Sequence, residues 1–562
     1  EGTVLYSSIK TISSLKAPSS LTLTSKGIPA NYKRKTVVQA TAYTDHSGTR
    51  CASGVLPQTG YIAVNPKIIP YGTKMFKAAS SVAGLSVEEI INTDCKTFKY
   101  GESNMAIGQI ITMDFDELLE ETHKRGMKVI MDLVINHTSD EHEWFQKALA
   151  DPDGEYGDYY FFRDGNGGKK YPNNWISFFS GPAWNYYEDI DKYALHLFSK
   201  KQMDLNWDNP KLRENLIDMI NWWLEKGVDG FRMDVINYIS KEPGLPQGDE
   251  TVGALMGYPG IEKFYYGPNL HKYLNEVRTK AFDLHGAFSV GETPGVGMKM
   301  AQMLTGEERK ELDMVFSFDN LETPGHVRWD DYEYDLNYYR DYITDWMLNY
   351  GNNYWMSLFY NNHDNPRMVS KISLDPKYTV AIEKLLAVMQ LTLKGTPFIF
   401  QGDEMGLTNV DFTSMDQITD VEAKGYYQEY IQTKTHEEAF KTILAGTREH
   451  TRILLPWNKN KPEYHKDIVQ VINTKITDIY KELITLRKDQ TFVYGDFKVL
   501  NKKKNHFTYS RKLDSEYIVD CNLSNTTQKA YQVNKDYECI FAHTKTNDDV
   551  LNPYETRIYK KK

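Results

Sequence analysis

The stretch NPKLRENLIDMINWWLEKGVDGFRMDVI (209–236) decides the fold, because a helix runs directly into a buried strand within it. Residues 209–227 carry apolar side chains at helical spacing and end on a glycine. VDGFRMDVI (228–236) follows as a short, mostly apolar run. The same succession occurs earlier, where a helical segment at 114–126 precedes KVIMDLVINH (128–137). Helices that alternate with short buried strands predict a parallel sheet.

Four further strands are predicted downstream, with helical segments between them. They are AFSVGE (287–292), LDMVFSFD (312–319), WMSLFYNNHD (355–364) and TPFIFQGDE (396–404). Repeated strand–helix units of this kind indicate the α/β class and favour a TIM-type (β/α) barrel. An aromatic, glycine-rich stretch at 138–205 shows no helix–strand alternation and is predicted to be a loop domain inserted after one strand.

The flanking regions differ from the barrel in composition. A helix at 467–488 is predicted to close a barrel domain that spans 113–488. Residues 489–562 alternate as strands and predict a small C-terminal antiparallel β-domain, with the lysines at 502–504 in a hairpin turn. Residues 1–36 are rich in serine, threonine and lysine and are predicted to be a linker.

Composition excludes several classes of protein. The chain has 562 residues, of which 41% are hydrophobic, and a formal charge of −10. This acidity argues against a nucleic-acid partner, which requires a basic surface. No apolar run approaches the roughly 18 residues of a membrane span. The four cysteines are too few and too scattered for a disulfide framework or a zinc site.

Polar residues gather where the predicted barrel strands end. They are Asp132 and His137 after one strand, Arg232 and Asp234 on the next, Glu292 on the third, and His363 and Asp364 after a later one. Side chains two apart on a strand face the same side. We therefore expect Arg232 to pair with the Asp234 carboxylate.

In a barrel these strand ends converge on one mouth, where polar residues are typical of catalysis. Acetal hydrolysis needs a carboxylate that attacks the anomeric carbon and a carboxylic acid that donates and then accepts a proton. A third carboxylate can hold sugar hydroxyls. Any one of these residues alone could instead cap a strand or form a salt bridge, but acidic groups at four strand ends favour a site.

A metal site is the alternative use of His137 and His363, since carboxylates flank both. Neither shows the spacing of a histidine or cysteine metal motif. Hydrogen bonding to a substrate hydroxyl is therefore the favoured interpretation, and neither a metal nor another cofactor is predicted.

Five segments resemble the signature regions of the α-amylase superfamily of glycoside hydrolases. Four are DLVINH (132–137), GFRMDVIN (230–237), VGETPG (290–295) and NNHDNPR (361–367), and KKQMDLNWDNP (200–210) is similar to the fifth region of the oligo-1,6-glucosidase subgroup. That subgroup usually has proline where this chain has Met203. The resemblance spans about residues 113–562.

The resemblance implies a role for each matched residue. Asp234 would be the nucleophile, Glu292 the general acid/base and Asp364 the transition-state stabiliser. The implied sugar- or nucleophile-contacting residues are Asp132, His137, Arg232, His363, Arg452 and Val235. Val235, directly after the nucleophile, looks like the residue of subgroup members that cleave α-1,6 bonds, and TREHTR (447–452) is similar to the segment that supplies a substrate-clamping arginine, Arg452.

The chain departs from the family at its N-terminal side. The first two βα units are absent from the sequence pattern, so the barrel is predicted to be incomplete. In the family the partner of the clamping arginine is an aspartate from the second strand, so Arg452 is expected to lack that partner, with Asp94 as the alternative acidic residue.

Residues 37–115 instead resemble a three-aspartate (3D) domain, a small β-barrel of cell-wall lytic and germination-related proteins, and 37–112 are predicted to form a degenerate version of it. Asp94 and Asp114 would be its later aspartates, while Asn65 replaces the first and the usual Asp-Thr-Gly becomes Asp94-Cys95-Lys96. A small N-terminal β-rich domain is the resulting expectation.

The sequence thus predicts a retaining α-glucosidase that acts on isomalto-oligosaccharides. Three alternatives stay open: a sugar isomerase or transglucosidase on the same triad, a lytic enzyme acting through 37–112, and an inactive barrel relative. The expected partner is an oligosaccharide alone, and a monomer is predicted. The resemblance implies a cytoplasmic location, although the N-terminal one is to exported proteins.

Overall fold

The computed structural model describes residues 115–351, 353–453, 455–456, 472–542 and 549–562, with the backbone of four earlier strands. Those strands form two antiparallel pairs: β1 (Leu5–Tyr6) with β2 (Thr11–Ile12), and β3 (Cys95–Lys99) with β4 (Ala106–Ile111). The rest of the predicted linker and 3D-like domain, Asp94 and Asp114 included, lies outside the described residues. The chain divides into two compact units, Glu1–Lys128 with Pro456–Val469, and Val129–Leu455 with Gln470–Lys562.

All six predicted parallel strands are present in the second unit. They are β5 (Ile130–Leu133), β11 (Gly230–Met233), β12 (Phe288–Glu292), β13 (Met314–Phe316), β14 (Ser357–Leu358) and β15 (Thr396–Pro397). The first four form one sheet in the order β13-β12-β11-β5, and β14 pairs with β15. The Ser357 hydroxyl donates to the Val315 carbonyl over 2.7 Å and joins the two groups.

Along the chain, helices come before, between and after these strands. They are α1 (Phe115–Lys124), α3 (Pro210–Glu225), α4 (Glu250–Met256), α5 (Leu270–Val277), α6 (Asp283–His285), α7 (Met298–Thr305), α8 (Leu336–Asn349), α9 (Met368–Ile372), α10 (Thr379–Thr392), α11 (Val421–Tyr430), α12 (His436–Gly446), α13 (Thr474–Leu486) and α14 (Gln490–Tyr494). The helix α3 begins where Asn209 accepts hydrogen bonds from the Lys211 and Leu212 amides, with Pro210 at its first position.

The segment after β5 contains a helix that the sequence pattern missed. Besides strands β6 (His137–Ser139), β7 (Phe162–Asp164), β8 (Trp184–Tyr187), β9 (Lys192–Leu195) and β10 (Gln202–Asp204), it holds α2 (Glu143–Ala150). The sequence pattern did not indicate α2 because this helix is short and its cap is unusual. The ring of His142, rather than a hydroxyl or carboxylate, accepts from the Trp144 amide.

The C-terminal region is an antiparallel sheet, as predicted. Five strands lie in the order β16-β17-β18-β22-β20 and two more pair as β19 and β21. Their bounds are β16 (Asp496–Asn501), β17 (His506–Lys512), β18 (Glu516–Asn522), β19 (Gln528–Lys529), β20 (Tyr537–Phe541), β21 (Val550–Leu551) and β22 (Thr556–Lys561). The three lysines at 502–504 connect β16 to β17 in a hairpin. None of the helices in the described ranges is long and apolar enough to cross a bilayer.

The edge of the parallel sheet generates the first prediction. Among the described residues β5 pairs with β11 alone, and Ile130 on β5 is 41% exposed. An exposed apolar edge strand promotes pairing between molecules, and a lysine on such an edge opposes it. We expect Ile130→Lys to lower light scattering of the purified protein at fixed concentration, while Ile130→Val leaves it unchanged. Equal scattering of the lysine variant and the wild type would contradict this expectation.

Candidate active site

One guanidinium group joins the ends of three adjacent strands. Arg232, on β11, lies opposite Asp132 on β5 and Val290 on β12 in the sheet register. Its Nη1 donates to Asp132 Oδ1 over 2.8 Å and to Asp234 Oδ1 over 2.5 Å, and its Nη2 lies 2.7 Å from Glu292 Oε2. The predicted pairing of Arg232 with Asp234 is present, and Arg232 reaches two further carboxylates.

The backbone at Val235 turns the chain toward Glu292. Val235 has φ +36° and ψ +42°, a left-handed conformation that is strained for a β-branched residue. In this conformation its N–H donates to Glu292 Oε2 over 3.0 Å. The Val235 side chain packs in a buried aromatic cluster with Trp175 and Phe264. The contact between Val235 and Glu292 is therefore made by the Val235 backbone, and the implied role of this residue in linkage preference stays a prediction.

Glu292 is the buried acid of the site. Its pKa is raised to about 8, and burial is the largest cause. Asp234 and Asp364 act in the same direction, while Arg232 and the Val235 amide oppose the shift. Glu292 can therefore be protonated near neutral pH.

Asp364, beyond β14, has the opposite electrostatic environment. Its Oδ2 lies 3.1 Å from His363 Nε2, and its Oδ1 accepts from Arg448 Nη1 over 3.0 Å and from Arg452 Nη2 over 2.6 Å. Burial raises the pKa of Asp364, but His363, Arg448, Arg452 and Arg328 outweigh it and hold the pKa below its ordinary value. This carboxyl group is therefore ionised.

Arg452 pairs with an acidic residue in the described part of the chain. Its Nη2 donates to Asp364 Oδ1 over 2.6 Å, and its Nε donates to the His363 carbonyl over 2.8 Å. The loss of the family's second-strand aspartate stays a prediction, and Asp364 is the acidic partner that the structure shows. The Arg452 side chain is 37% exposed, so it stands at the open side of the site.

His137 is a buried histidine close to the carboxylates of Asp132 and Asp234. Its Nε2 is 2.9 Å from Gln202 Nε2 on the paired strand β10, and burial lowers its pKa. Next to it, Asn136 contacts the fully buried ion pair of Lys241 and Asp204, whose charged atoms are 2.7 Å apart. This buried network fixes the segment that carries His137.

A cavity of about 480 Å³ opens among these groups. Five of the nine predicted site residues line it: Asp132, Arg232, Glu292, His363 and Asp364. The opposite wall is apolar and consists of Phe316, Phe318, Phe359, Phe398, Ile399 and Phe400. Asp234 and Arg452 contact lining residues through the ion pairs above. The cavity thus offers carboxylates and a guanidinium beside a hydrophobic surface, a combination suited to a ligand that has both polar edges and apolar faces.

Comparison with known proteins identifies the family of this chain. The family described as "Alpha amylase, catalytic domain" matches residues 108–495, well over half of the chain. The chain belongs to the α-amylase family. It is 39% identical over 483 residues to an oligo-1,6-glucosidase of Bacillus cereus, covering 80% of this chain and 86% of that one. It is 41% identical over 486 residues to an oligo-1,6-glucosidase of Halalkalibacterium halodurans, covering 79% and 85%.

A solved structure extends the similarity to the fold. The crystal structure of an isomaltulose synthase from Klebsiella sp. LX3 superposes with a TM-score of 0.73 at 32% identity, covering 80% of this chain and 86% of that one. The catalytic barrel of the family and the C-terminal antiparallel sheet are thereby established for this chain. The six described parallel strands form the part of that barrel that carries the site.

The N-terminal resemblance has a different outcome. A second family, described as "DHHA2 domain", matches residues 73–141 and overlaps the α-amylase match. Neither family match is to a 3D domain, so that resemblance stays a prediction.

Sequence reasoning missed four residues around Asp364. Arg448 lies four positions before Arg452 in the TREHTR segment, and Arg328 donates to the Asp364 carbonyl over 2.6 Å. Asp420 and Glu422, at the start of α11, contact these arginines. The presence of two arginines in TREHTR (447–452) was the one signal in the sequence. The other three residues lie in a loop or at the start of α11, and the sequence pattern does not bring these segments to the site.

The raised pKa of Glu292 has a consequence for stability. Between its ordinary pKa of 4.5 and about 8, the folded protein holds a proton that the unfolded chain releases, so this group's contribution to stability falls as pH rises. Glu292→Gln removes this dependence. We expect the melting temperature of the variant, relative to wild type, to be about 2 °C or more higher at pH 8 than at pH 5. The exposed Glu225→Gln is the matched control, and curves for Glu292→Gln that stay parallel to wild type would refute the assignment.

Proposed function

We propose that this protein hydrolyses α-1,6-glucosidic bonds of isomalto-oligosaccharides from the non-reducing end, with retention of configuration. The observation that supports the proposal is that one cavity contains two carboxyl groups with opposite protonation states. Glu292 is a buried acid with a pKa of about 8, and Asp364 is held ionised by cations. Two carboxyl groups with opposite protonation states are the requirement for acid-assisted acetal cleavage. The relatives named oligo-1,6-glucosidase support this substrate class.

Each residue of the proposed triad has a separate role in the reaction. Asp234, oriented by Arg232 at 2.5 Å, attacks the anomeric carbon while protonated Glu292 donates its proton to the departing glycosidic oxygen. The glycosyl–Asp234 ester forms as the glycosidic bond breaks. Glu292, now a carboxylate, takes a proton from water, which attacks the anomeric carbon and releases Asp234. Asp364 stabilises the positive charge that develops on the sugar ring.

The substrate-binding roles extend this assignment. We assign hydroxyl contacts to Asp132, His137, His363 and Arg452, which surround the triad. For Val235 we retain a role in linkage preference, exerted through its backbone contact with Glu292. No metal or other cofactor enters this mechanism.

The domain arrangement is also part of the proposal. The barrel of residues 113–488 would lack its first two βα units, with the inserted domain at 138–205 and the C-terminal β-domain at 489–562. The exposed side of β5 supports this arrangement, since Ile130 is 41% exposed and Val134 43%. We further propose a cytoplasmic monomer.

A second candidate is sugar isomerisation, favoured by the structural similarity to an isomaltulose synthase. Isomerisation uses the same covalent intermediate but returns the glucosyl group to another hydroxyl of the released sugar instead of water. Product analysis with sucrose separates the two activities, because hydrolysis releases equal glucose and fructose and isomerisation yields a new disaccharide.

Variants of the two reacting carboxylates test the chemistry. If Glu292 is the acid, Glu292→Gln should lower isomaltose turnover at least about 100-fold, while the fold stays intact. Asp234→Asn should abolish turnover. The wild-type product should appear first as the α-anomer, which NMR spectroscopy detects, because carboxyl groups about 5–5.5 Å apart force a covalent intermediate. Initial release of the β-anomer would refute retention, and undiminished turnover by Glu292→Gln would refute the acid assignment.

Linkage preference gives a second test. We expect kcat/KM for isomaltose to exceed that for maltose by about 10–200-fold, because a difference of one small contact between two substrates is worth about 1–3 kcal/mol. The two disaccharides contain the same two glucose units, so each is the control for the other. Faster maltose turnover would contradict the α-1,6 assignment.

A further inference from the structure

Several basic side chains form an ion pair with the Asp364 carboxylate, and Arg448 is the most buried of them. Its side chain is 12% exposed, against 37% for Arg452. Its Nη1 donates to Asp364 Oδ1 over 3.0 Å. Its guanidinium also lies 5.1 Å from the centre of the Phe179 ring, which belongs to the inserted segment. Arg448 therefore touches Asp364 from the protein interior rather than from the open side.

Two further acidic residues form ion pairs with the Arg448 guanidinium. Its Nη2 and Nε donate to Asp420 Oδ1 over 2.5 and 3.1 Å, and its Nε lies 3.3 Å from Glu422 Oε2. Asp420 is itself fixed, since its side chain accepts from the Ala423 amide at the start of α11. Its amide donates to Glu449, the neighbour of Arg448. The guanidinium thus has three carboxylate partners on a rigid support.

A second buried arginine shares this support. Arg328 contacts Glu422 with Nη2 and donates with Nη1 to the Asp364 carbonyl. The backbone and the side chain of Asp364 are therefore each held by an arginine that Glu422 contacts. Arg452, by contrast, reaches the same Asp364 oxygen from the open side and has the His363 carbonyl as its other partner.

We propose that Arg448 is a positioning residue for the glucosidase reaction, which fixes the Asp364 carboxylate toward the substrate and is itself anchored by Asp420. This inference rests on the proposed function. Arg448 acts through Asp364 and does not need to touch the sugar. A reacting group displaced by about 1 Å can cost about 100-fold in rate, so an arginine that fixes a carboxylate controls kcat more than KM.

The same contact predicts an effect on pH dependence. Arg448 is one of the cations that lower the pKa of Asp364. His363, Arg452 and Arg328 also lower this pKa and remain when Arg448 is removed, while Glu292 is an acidic group that interacts with the same carboxyl group. Loss of Arg448 should therefore raise the pH at which Asp364 is protonated, and the acid limb of the kcat/KM profile should move upward by about 1 pH unit or less.

Three variants and a matched control test the proposal on isomaltose and an aryl α-glucoside. We expect Arg448→Gln to lower kcat by about 100-fold and to move the acid limb upward. Arg448→Lys retains the charge, so its acid limb should stay near that of the wild type, but one ammonium cannot replace the planar fork and kcat should fall to an intermediate value. Asp420→Asn removes the anchor and should lower kcat without a large change in KM.

The control is Arg213→Gln, because Arg213 is similarly buried, with 10% exposure, and pairs with Glu276 away from the site. It should lower the melting temperature while kcat and the pH profile stay as in the wild type. Circular dichroism and thermal unfolding establish that each variant is folded. If Arg448→Gln does not fold, Arg448→Lys and Asp420→Asn decide the question.

The outcomes separate this inference from the proposed function. An active wild type with unchanged kcat and pH profile in the folded Arg448 variants would overturn the positioning role alone. Lower melting temperatures with unchanged kinetics would assign Arg448 a structural role and also overturn it. A folded wild type that cleaves neither substrate would contradict the proposed function, and the inference that rests on it would fail as well.

Discussion

The ion pairs of Arg232 are the interaction on which the site depends. Three carboxylates, from three adjacent strands, meet at one guanidinium with N···O distances of 2.5 to 2.8 Å. Without a cation, acidic groups this close together would repel one another, most strongly where they are buried, as at Glu292. Because β5, β11 and β12 are parallel and in register, their ends place Asp132, Asp234 and Glu292 around Arg232. The register of the parallel strands therefore brings these carboxylates together, and the positive charge of Arg232 offsets their mutual repulsion.

Much of this arrangement could be predicted from the sequence because it follows from periodicity. The six strands were recognisable as short apolar runs between helices, and parallel strands place their C-terminal ends on one side of the sheet. The residues of the proposed triad, Asp234, Glu292 and Asp364, lie at or just after three of these strand ends, and the family resemblance implies their roles. The alternation of helices and short apolar strands in the sequence therefore predicts which residues lie at the ends of the strands.

Contacts that depend on loop conformation could not be predicted. The left-handed backbone of Val235 sends its side chain into a buried cluster, whereas its position after the nucleophile suggested a pocket residue. Arg452 reaches Asp364, although the family pattern gave it a partner on another strand. Arg448 and Asp420 come together over 28 residues of sequence without any shared periodicity. Such contacts are decided by packing between segments, which no local pattern encodes.

The two buried acids differ because of how many cations each has. Glu292 shares the single guanidinium of Arg232 with two other carboxylates, so burial dominates and its pKa rises to about 8. Asp364 is less buried, with 21% of its side chain exposed against 6% for Glu292, and a histidine and three arginines lower its pKa. A proton within the site therefore belongs on Glu292, while Asp364 keeps its charge. The proposed division between acid and charge stabiliser thus follows from burial and from the uneven distribution of cations around two chemically similar carboxyl groups.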